Sequence, residues 1–418
     1  MKIPFQTSVR KRIVAALAIG LAAFYIAMAA REFVATWLGD RAELTSLERA
    51  AKLDPGNAEY CNHLGRYYDL VAHDPATAVG YHKAAVQLNP HSASYWFDLA
   101  ETYQVLGDTP RQTAALEEAI HADPMTPDVA WQAANLYLVQ GENEKALREF
   151  SVVMANDTSL AGSAVQYCWR VNPDVDALLR DVVPHTADAY IAFLNLLETK
   201  QETHGTFKVW DALMQTHQPF ERRYLYEYFN FLIQHKEVDQ AVLVWNQAAA
   251  RFGLASYLPS SSNLIVNSSF SLDVLNAGFD WHYQKQSGVA LTLDPSNFHA
   301  GRRSLLIAFD GPGINDAGIY QLVAVQPNTT YDFSAYYKNG ELEGAGGPHL
   351  TIQDMYSSAV YFDSDEMKES GYWKSVDGEF TTGPDCKLVV LHVRRLPEGS
   401  PIRGKLWIDD FHLARKPS

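Results

Sequence analysis

The sequence predicts a multidomain chain with an N-terminal transmembrane helix, an α-solenoid of stacked helix pairs and a C-terminal antiparallel β-sandwich. Three observations support this fold class. Residues 13–30 carry no charged side chain, and the prolines Pro55, Pro90 and Pro124 lie 35 and 34 residues apart. After residue 262 the hydrophobic period changes from helical to alternating. A fixed period of this length is typical of stacked helical repeats, and alternation is typical of strands.

Residues 1–38 are predicted to form a basic cytoplasmic stub and a membrane anchor helix. The uncharged run at 13–30 is long enough to cross a bilayer. Because Arg10–Arg12 precede it, we expect the N-terminus in the cytoplasm and the body in the periplasm of a bacterial inner membrane. The alternative is a secreted chain, since Ala27–Ala29 resembles the end of a cleaved signal peptide. The length of the apolar run, which continues through Trp37, favours the retained anchor.

Residues 41–255 are predicted to form the solenoid, with clear repeats at about 56–158 and degenerate repeats after them. In each clear repeat a small residue stands where two helices approach closely, and an aromatic residue follows three positions later. The small residues are Gly65, Ala100 and Ala134, and the aromatic residues are Tyr68, Tyr103 and Tyr137. Gly107 and Gly141 are expected to end helices in the left-handed conformation. These landmarks resemble the tetratricopeptide repeat, and the resemblance implies a groove that binds a protein partner.

After a polar linker at 256–262, residues 263–415 are predicted to form the β-sandwich. Short alternating runs between Gly, Asn, Asp and Thr residues indicate the strands. The landmarks, in order, are Asn263–Phe270, Trp281, Gly371–Trp373 and Trp407–Phe411. They resemble the jelly-roll carbohydrate-binding modules found beside bacterial glycosidases. The resemblance implies a jelly roll that binds or docks to polysaccharide, and we expect Trp281 and Trp373 in its core.

The same resemblance raises the question of a structural calcium ion. Ser271 stands where that family often has an acidic residue that helps to hold calcium, and Asp273 follows two positions later. Asp409 and Asp410 are the candidate calcium residues, through backbone carbonyl oxygens. The alternative is that this pair only caps the last strand. No other cofactor is expected.

Strand alternation selects candidate carbohydrate-binding residues. A sugar site needs flat aromatic faces and planar polar groups. Within 330–338, Tyr337 and its alternate neighbours are expected to face the core, which leaves Tyr336 outside. The same reasoning puts Gln353, His392 and Arg394 outside. We expect these four residues to form one concave patch, and a solvated sheet face is the alternative.

Composition and motifs argue against several functions. The net charge of −15 disfavours nucleic-acid binding, since phosphate backbones would be repelled. The three cysteines, Cys61, Cys168 and Cys386, are far apart and form no zinc-binding pair. No nucleophile elbow, zinc-hydrolase helix motif or dinucleotide fingerprint is present in the sequence. We therefore expect no enzymatic activity and name no catalytic residue.

Together these features predict a non-enzymatic, membrane-tethered adaptor of the bacterial envelope. The solenoid would bind a protein partner, and the sandwich would bind or dock to polysaccharide, in a role such as exopolysaccharide assembly or export. Two alternatives stay open. One is a purely structural interaction scaffold without sugar binding, and the other is a glycan-active enzyme with an unrecognised site.

Overall fold

The computed structural model of the protein describes residues 8–41, 43–368 and 371–417. Lys2, part of the predicted cytoplasmic stub, lies outside the described residues. The predicted fold class is confirmed, because a long apolar helix and further helices are followed by a sandwich of two antiparallel sheets. Residue contacts divide the chain into two compact units. The helices through Lys200 together with Lys208–Thr216 form the first unit, and Gln201–Phe207 with the chain from His217 onward form the second.

The helices follow the period that the prolines predict. They are α1 (Ser8–Gly39), α2 (Leu44–Leu53), α3 (Ala58–Leu70), α4 (Pro75–Leu88), α5 (Ala93–Val105), α6 (Thr109–Ala122), α7 (Pro127–Gln140), α8 (Asn143–Asn156), α9 (Ala161–Val171), α10 (Val175–Asp181), α11 (Ala187–Lys200), α12 (Thr203–Gln215), α13 (Arg222–Gln234) and α14 (Val238–Phe252). Pro55, Pro90 and Pro124 each stand two residues after the end of a helix, namely α2, α4 and α6. Proline cannot continue a helix, so each one separates two successive pairs.

Local side chains explain where these helices begin and end. The carboxylates of Asp74 and Asp108 accept a hydrogen bond from the backbone N–H three residues later and cap α4 and α6. Gly107 and Gly141 follow the first helices of two pairs with φ of 71° and 79°. Both have the left-handed conformation that the sequence predicts, which a side chain would strain. Helix ends in this region are therefore encoded locally.

The end of α1 packs on the first helices of the compact unit. Ala35 is fully buried in a small cluster with Ala50 of α2 and Tyr60 of α3. A Cβ added to Gly39 would lie only 2.4 Å from the Tyr60 ring, so glycine permits this close approach. The last turns of α1 thus supply the packing partner of α2, whose sequence looks like the second helix of a pair.

The two sheets of the sandwich are built from ten strands in the described part of the chain. They are β1 (Trp281–Tyr283), β2 (Val289–Asp294), β3 (Ser304–Gly313), β4 (Asp316–Ala324), β5 (Thr330–Gly344), β6 (Pro348–Asp354), β7 (Val360–Asp363), β8 (Lys374–Thr381), β9 (Leu388–Arg395) and β10 (Pro401–Arg415). Sheet A has the order β1-β4-β9-β6-β7, and sheet B has the order β2-β3-β10-β5-β8. The core lies between the two sheets and contains the inward residues of both.

Burial confirms the predicted alternation. On β5, Phe333, Ala335 and Tyr337 are buried, whereas Tyr336 is half-buried. Trp281 is in the core, as expected. Trp373 is not, because it precedes β8 as a half-buried residue on the outside of sheet B, and the expectation for it is wrong.

Helices α13 and α14 belong to the same compact unit as the sandwich. Phe279, just before β1, packs edge-on against Phe229 of α13 with ring centroids 4.9 Å apart, and it also contacts Trp245 of α14. The Tyr356 hydroxyl, in the turn after β6, donates a hydrogen bond of 2.7 Å to the Ile233 carbonyl. The last helix pair is therefore joined to the sandwich by an aromatic cluster and polar contacts.

The predicted linker at 256–262 takes part in this packing. The indole Nε1 of Trp245 donates to the Tyr257 carbonyl at 3.1 Å, and the Tyr257 hydroxyl donates to the Asp273 carbonyl at 2.7 Å. The boundary between the two compact units therefore does not lie at the predicted linker.

Candidate functional site

The outer face of sheet A carries a row of aromatic and polar side chains. The strand register aligns His282 of β1 with Tyr320 of β4, Tyr320 with His392 of β9, and His392 with Thr351 of β6. Residues paired across antiparallel strands project to the same side of a sheet. The neighbours of His392 along β9, Leu391 and Val393, are in the core. The row therefore lies on the side of the sheet away from the core.

Three of the four sequence-predicted site residues share this face. Gln353 of β6 pairs with Val390, two positions before His392 on β9, and Arg394 lies two positions after it. Since side chains alternate along a strand, Gln353, His392 and Arg394 project to one side. The structure thus brings together the three polar members of the predicted patch.

Tyr336 does not belong to this group, and the prediction of one four-residue patch is wrong. Tyr336 lies on β5 of sheet B, where it pairs with Asp409 of β10 and Ser375 of β8. Its ring is stacked on His299, with centroids 3.7 Å apart and planes at 13°. The assignment of Tyr336 to the outside of its strand is correct. Alternation, however, does not determine which sheet a strand joins.

Tyr320 is an aromatic residue of the sheet A face that the sequence analysis missed. It is half-buried, and its ring stacks on His282 with centroids 4.9 Å apart and planes at 11°. His282 Nε2 bonds the Gly278 carbonyl at 2.8 Å, and burial lowers the pKa of His282, so the neutral ring donates there. Burial raises the pKa of Tyr320, which keeps its phenol protonated. The alternating pattern that predicts a strand is weak around Tyr320, because Gly318 has φ of 77° and a register shift separates Asp316 from Tyr320.

His392 is held by Asp316 at the centre of the row. Its Nδ1 lies 2.7 Å from the Asp316 carboxylate, whereas its Nε2 is buried and has no hydrogen-bond partner in the described part of the chain. When Nδ1–H donates to Asp316, a neutral ring leaves Nε2 as an acceptor. Arg394 donates to Glu398 at 2.5 Å. The polar groups of this face are therefore oriented by neighbours on β4 and in the loop after β9.

The candidate calcium residues hold a loop of the sandwich through hydrogen bonds. Asp409 is fully buried, and its Oδ2 accepts from the backbone N–H groups of His299 and Ala300 at 2.6 and 2.9 Å. Its Oδ1 accepts from the N–H of Asp410 at 2.8 Å, and the Asp410 carboxylate contacts His299 Nδ1 at 2.9 Å. Burial raises the pKa of Asp409, and the three backbone donors oppose that rise. Three N–H donors on one carboxylate suit a loop cap, and they do not fit a calcium ion on this side chain.

The described residues also lack a cluster of metal-ligating side chains. No group of three or more His, Cys, Asp or Glu side chains there is arranged to hold a metal ion. A calcium site through backbone carbonyls, as the sequence suggests, stays a prediction.

Comparison with known proteins gives a family match for part of the chain. Residues 262–397 match the family model CBM_4_9, described as a carbohydrate binding domain. No curated protein matches the chain. A solved structure described as "CBM4 structure and function" is 15% identical, covers 36% of this chain and 99% of its own, and has a TM-score of 0.29.

Two further solved structures are similar to parts of the chain. The CBM22-1 xylan-binding domain of Paenibacillus barcinonensis Xyn10C is 14% identical, covers 36% of this chain and 93% of its own, and has a TM-score of 0.25. The crystal structure of MamA is 19% identical, covers 41% of this chain and 85% of its own, and has a TM-score of 0.24. The family match contains strands β1 to β9, so this part of the chain is a match to carbohydrate binding domains.

Proposed function

We propose that the sandwich binds a carbohydrate on the outer face of sheet A. The observation that supports this most directly is the Tyr320–His282 stack, which lies beside the oriented polar groups of His392 and Asp316. All four residues belong to the part of the chain that matches carbohydrate binding domains. Sugar rings pack their C–H faces on aromatic rings and exchange hydrogen bonds with planar polar groups. Gln353 supplies an amide near this row on the same face.

The test uses the full chain in detergent micelles. Binding is first screened on an array of bacterial and plant polysaccharides, and the affinity for the best ligand is then measured by calorimetry. Tyr320→Ala should weaken binding about tenfold, since a lost aromatic contact is worth roughly 1–1.5 kcal/mol. Gln353→Ala should weaken it less, through a lost hydrogen bond of about 1 kcal/mol.

Tyr336→Ala is the matched control, because Tyr336 is a half-buried tyrosine on the outside of the other sheet. It should leave the affinity unchanged. Trp373→Ala tests the competing location, since Trp373 lies edge-on to His299 near Tyr336. If Trp373→Ala and Tyr336→Ala abolish binding and Tyr320→Ala does not, the sugar binds to sheet B. If no glycan binds, the scaffold without sugar binding is the better description.

For the chain as a whole we propose a non-enzymatic adaptor tethered to a bacterial inner membrane, with its body in the periplasm. The tether is supported by an apolar helix over Val9–Gly39, whose most apolar stretch has a mean hydropathy of 2.4. A signal sequence has the same properties. The paired helices from α2 onward would bind a protein partner, and polysaccharide bound to the sandwich would suit a role in exopolysaccharide assembly or export.

A further inference from the structure

A pocket of about 480 Å³ lies in the first compact unit, on α3, α4 and α5. Its polar lining includes Asp69 of α3, His82 of α4, and Asp98 and Glu101 of α5. Arg66 of α3 lies at the same pocket and donates two hydrogen bonds to the Asp98 carboxylate, at 2.8 and 3.0 Å. This ion pair neutralises Asp98 and leaves two further carboxylates in the pocket.

A buried hydrogen-bond network fixes the floor of the pocket. His82 has no exposed surface, and its ring nitrogens lie 3.0 Å from Asn62 Oδ1 and 3.1 Å from Asp69 Oδ2. The same Asp69 oxygen accepts from the Thr102 hydroxyl at 2.6 Å, and the Asn62 amide donates to Asp98 at 2.6 Å. Burial lowers the pKa of His82 and favours its neutral form. Three carboxylates then face the Arg66 guanidinium and the exposed His73 imidazole, which also lines the pocket, so the carboxylates outnumber the positive groups whichever form His73 takes.

One buried acceptor in the pocket has no donor, and a further carboxylate there is exposed to solvent. Asp69 Oδ1 is buried and has no hydrogen-bond partner in the described part of the chain. Glu101 lines the same pocket and is exposed to solvent. Partial burial raises the pKa of Glu101, and the carboxylates of Asp98 and Asp69 raise it further against the opposing effect of Arg66. A buried carboxylate oxygen without a hydrogen-bond donor is costly, and so is the repulsion between neighbouring carboxylates. A cation with N–H donors would reduce both costs.

The rim of the pocket is apolar. Leu70 at the end of α3 and Val105 at the end of α5 line it, and each is 73% exposed. A second pocket of about 400 Å³ shares Leu70 and Arg66 with the first and is lined by further apolar residues, including Leu47 and Val71. Exposed apolar surface around an acidic floor is typical of a binding groove.

We propose that this acidic pocket binds a lysine or arginine side chain of a partner protein, with apolar neighbours of that side chain on Leu70 and Val105. The charge of the pocket selects a cation, and the buried Asp69 Oδ1, which lacks a donor, selects one that carries N–H groups. The side chains of the pocket form no metal-binding group, which favours an organic cation over a metal ion. The proposal rests on the adaptor role, since it specifies the chemistry of the protein partner.

The probe is a fluorescein-labelled peptide, Ala-Leu-Arg-Leu-Ala, titrated against the full chain in detergent micelles and followed by fluorescence anisotropy. The reference peptide carries citrulline in place of arginine, which keeps the shape and removes the charge. We expect the arginine peptide to bind at least tenfold more tightly and to lose affinity as salt is added. Glu101→Gln should weaken binding of the arginine peptide threefold to tenfold and leave the citrulline peptide unaffected.

Glu118→Gln is the matched control, because Glu118 is an exposed glutamate of α6 that does not line the pocket. It removes the same charge from the chain and should change neither affinity. Equal binding of both peptides, binding of neither, or an equal effect of Glu118→Gln would overturn the proposal. Sugar binding, measured on the same preparation, tests the proposed site on sheet A independently of the pocket. If an intact protein partner is captured while neither peptide binds, the adaptor role stands and the pocket assignment is wrong.

Discussion

Gly65 of α3 and His82 of α4 approach so closely that a Cβ on Gly65 would lie 2.5 Å from the Cε1 atom of the imidazole ring. The ring cannot easily move, because Asn62 and Asp69 hold its two nitrogens. Gly65→Leu should therefore destabilise the first compact unit by about 1–3 kcal/mol through overpacking. Thermal unfolding of the full chain, followed by circular dichroism, measures the effect. Ala100→Leu on α5 should act in the same direction, since Ala100 is fully buried.

Gly80→Ala is the control for Gly65, because Gly80 lies on the same helix as His82 and a Cβ there meets nothing within 4 Å. This change should stabilise α4 by about 0.5–1 kcal/mol through helix propensity. Loss of stability in Gly80→Ala, or unchanged melting of Gly65→Leu, would mean that the helix crossing is not where the repeat pattern puts it.

Asp280, next to Trp281, should make the second compact unit less stable at neutral pH than in acid. The residue is fully buried, its Oδ1 has no partner in the described part of the chain, and burial raises the pKa of Asp280 to about 6. In the unfolded chain the pKa is about 3.9. The folded form therefore binds the proton more tightly, and stability falls as pH rises from about 4 to about 6.

This pKa shift of Asp280 corresponds to a loss of about 3 kcal/mol in the free energy of unfolding at neutral pH. Asp280→Asn should recover roughly 1–2 kcal/mol of it at pH 7, because the neutral amide still leaves one polar atom unpaired. At pH 4 the gain should nearly vanish. Melting temperatures of the two chains at both pH values test this, with the exposed Asp310→Asn as control. A gain of equal size at pH 4 would show that burial of the charge is not its cause.

Adjacent tyrosines of β5 should respond differently to truncation. Tyr337 is 6% exposed in the core, so Tyr337→Ala should destabilise the sandwich by about 3–5 kcal/mol. Tyr336→Ala removes a stacked pair with His299 on the surface and should cost about 1 kcal/mol. Denaturant titration followed by tryptophan fluorescence compares the two. The reverse order of effects would invert the assignment of faces on β5.

Asp409 should stabilise the sandwich without calcium. Asp409→Asn replaces one acceptor oxygen by an NH₂ group that cannot accept from the loop N–H donors, and it should cost about 1–3 kcal/mol. Addition of EDTA or of millimolar calcium should leave the melting temperature of the unchanged chain where it is. A calcium-dependent rise in melting temperature would instead support the carbonyl site that the sequence suggests.

The N-terminal helix should stay on the mature protein. If α1 is an anchor, the chain should remain in the membrane fraction after carbonate extraction, and its N-terminal sequence should begin upstream of residue 13. A mature N-terminus near Ala30 together with recovery in the soluble fraction would favour a cleaved signal peptide.

The parts of the fold that sequence predicts well are those that local chemistry determines. Pro90 and Gly141 end a repeat and a helix through their own backbone limits, and Tyr337 faces the core because alternation is fixed by the pleat. The site was predicted only in part. Tyr336 pairs with Asp409, far along the chain, and no local pattern encodes that partner. Tyr320 escaped notice because the irregular start of β4 around Gly318 disrupts the alternation.

The packing of Phe279 against Phe229 and Trp245 has a practical consequence for anyone who wants to produce the sandwich separately from the rest of the chain. A cut at residues 256–262 would remove α13 and α14 from the sandwich. The Phe279 side chain would then be exposed to water, and exposed apolar surface favours aggregation. A portable fragment should start ahead of α13, near residue 217, where the second compact unit resumes. The sandwich and the last helix pair should therefore be kept together as one folding unit.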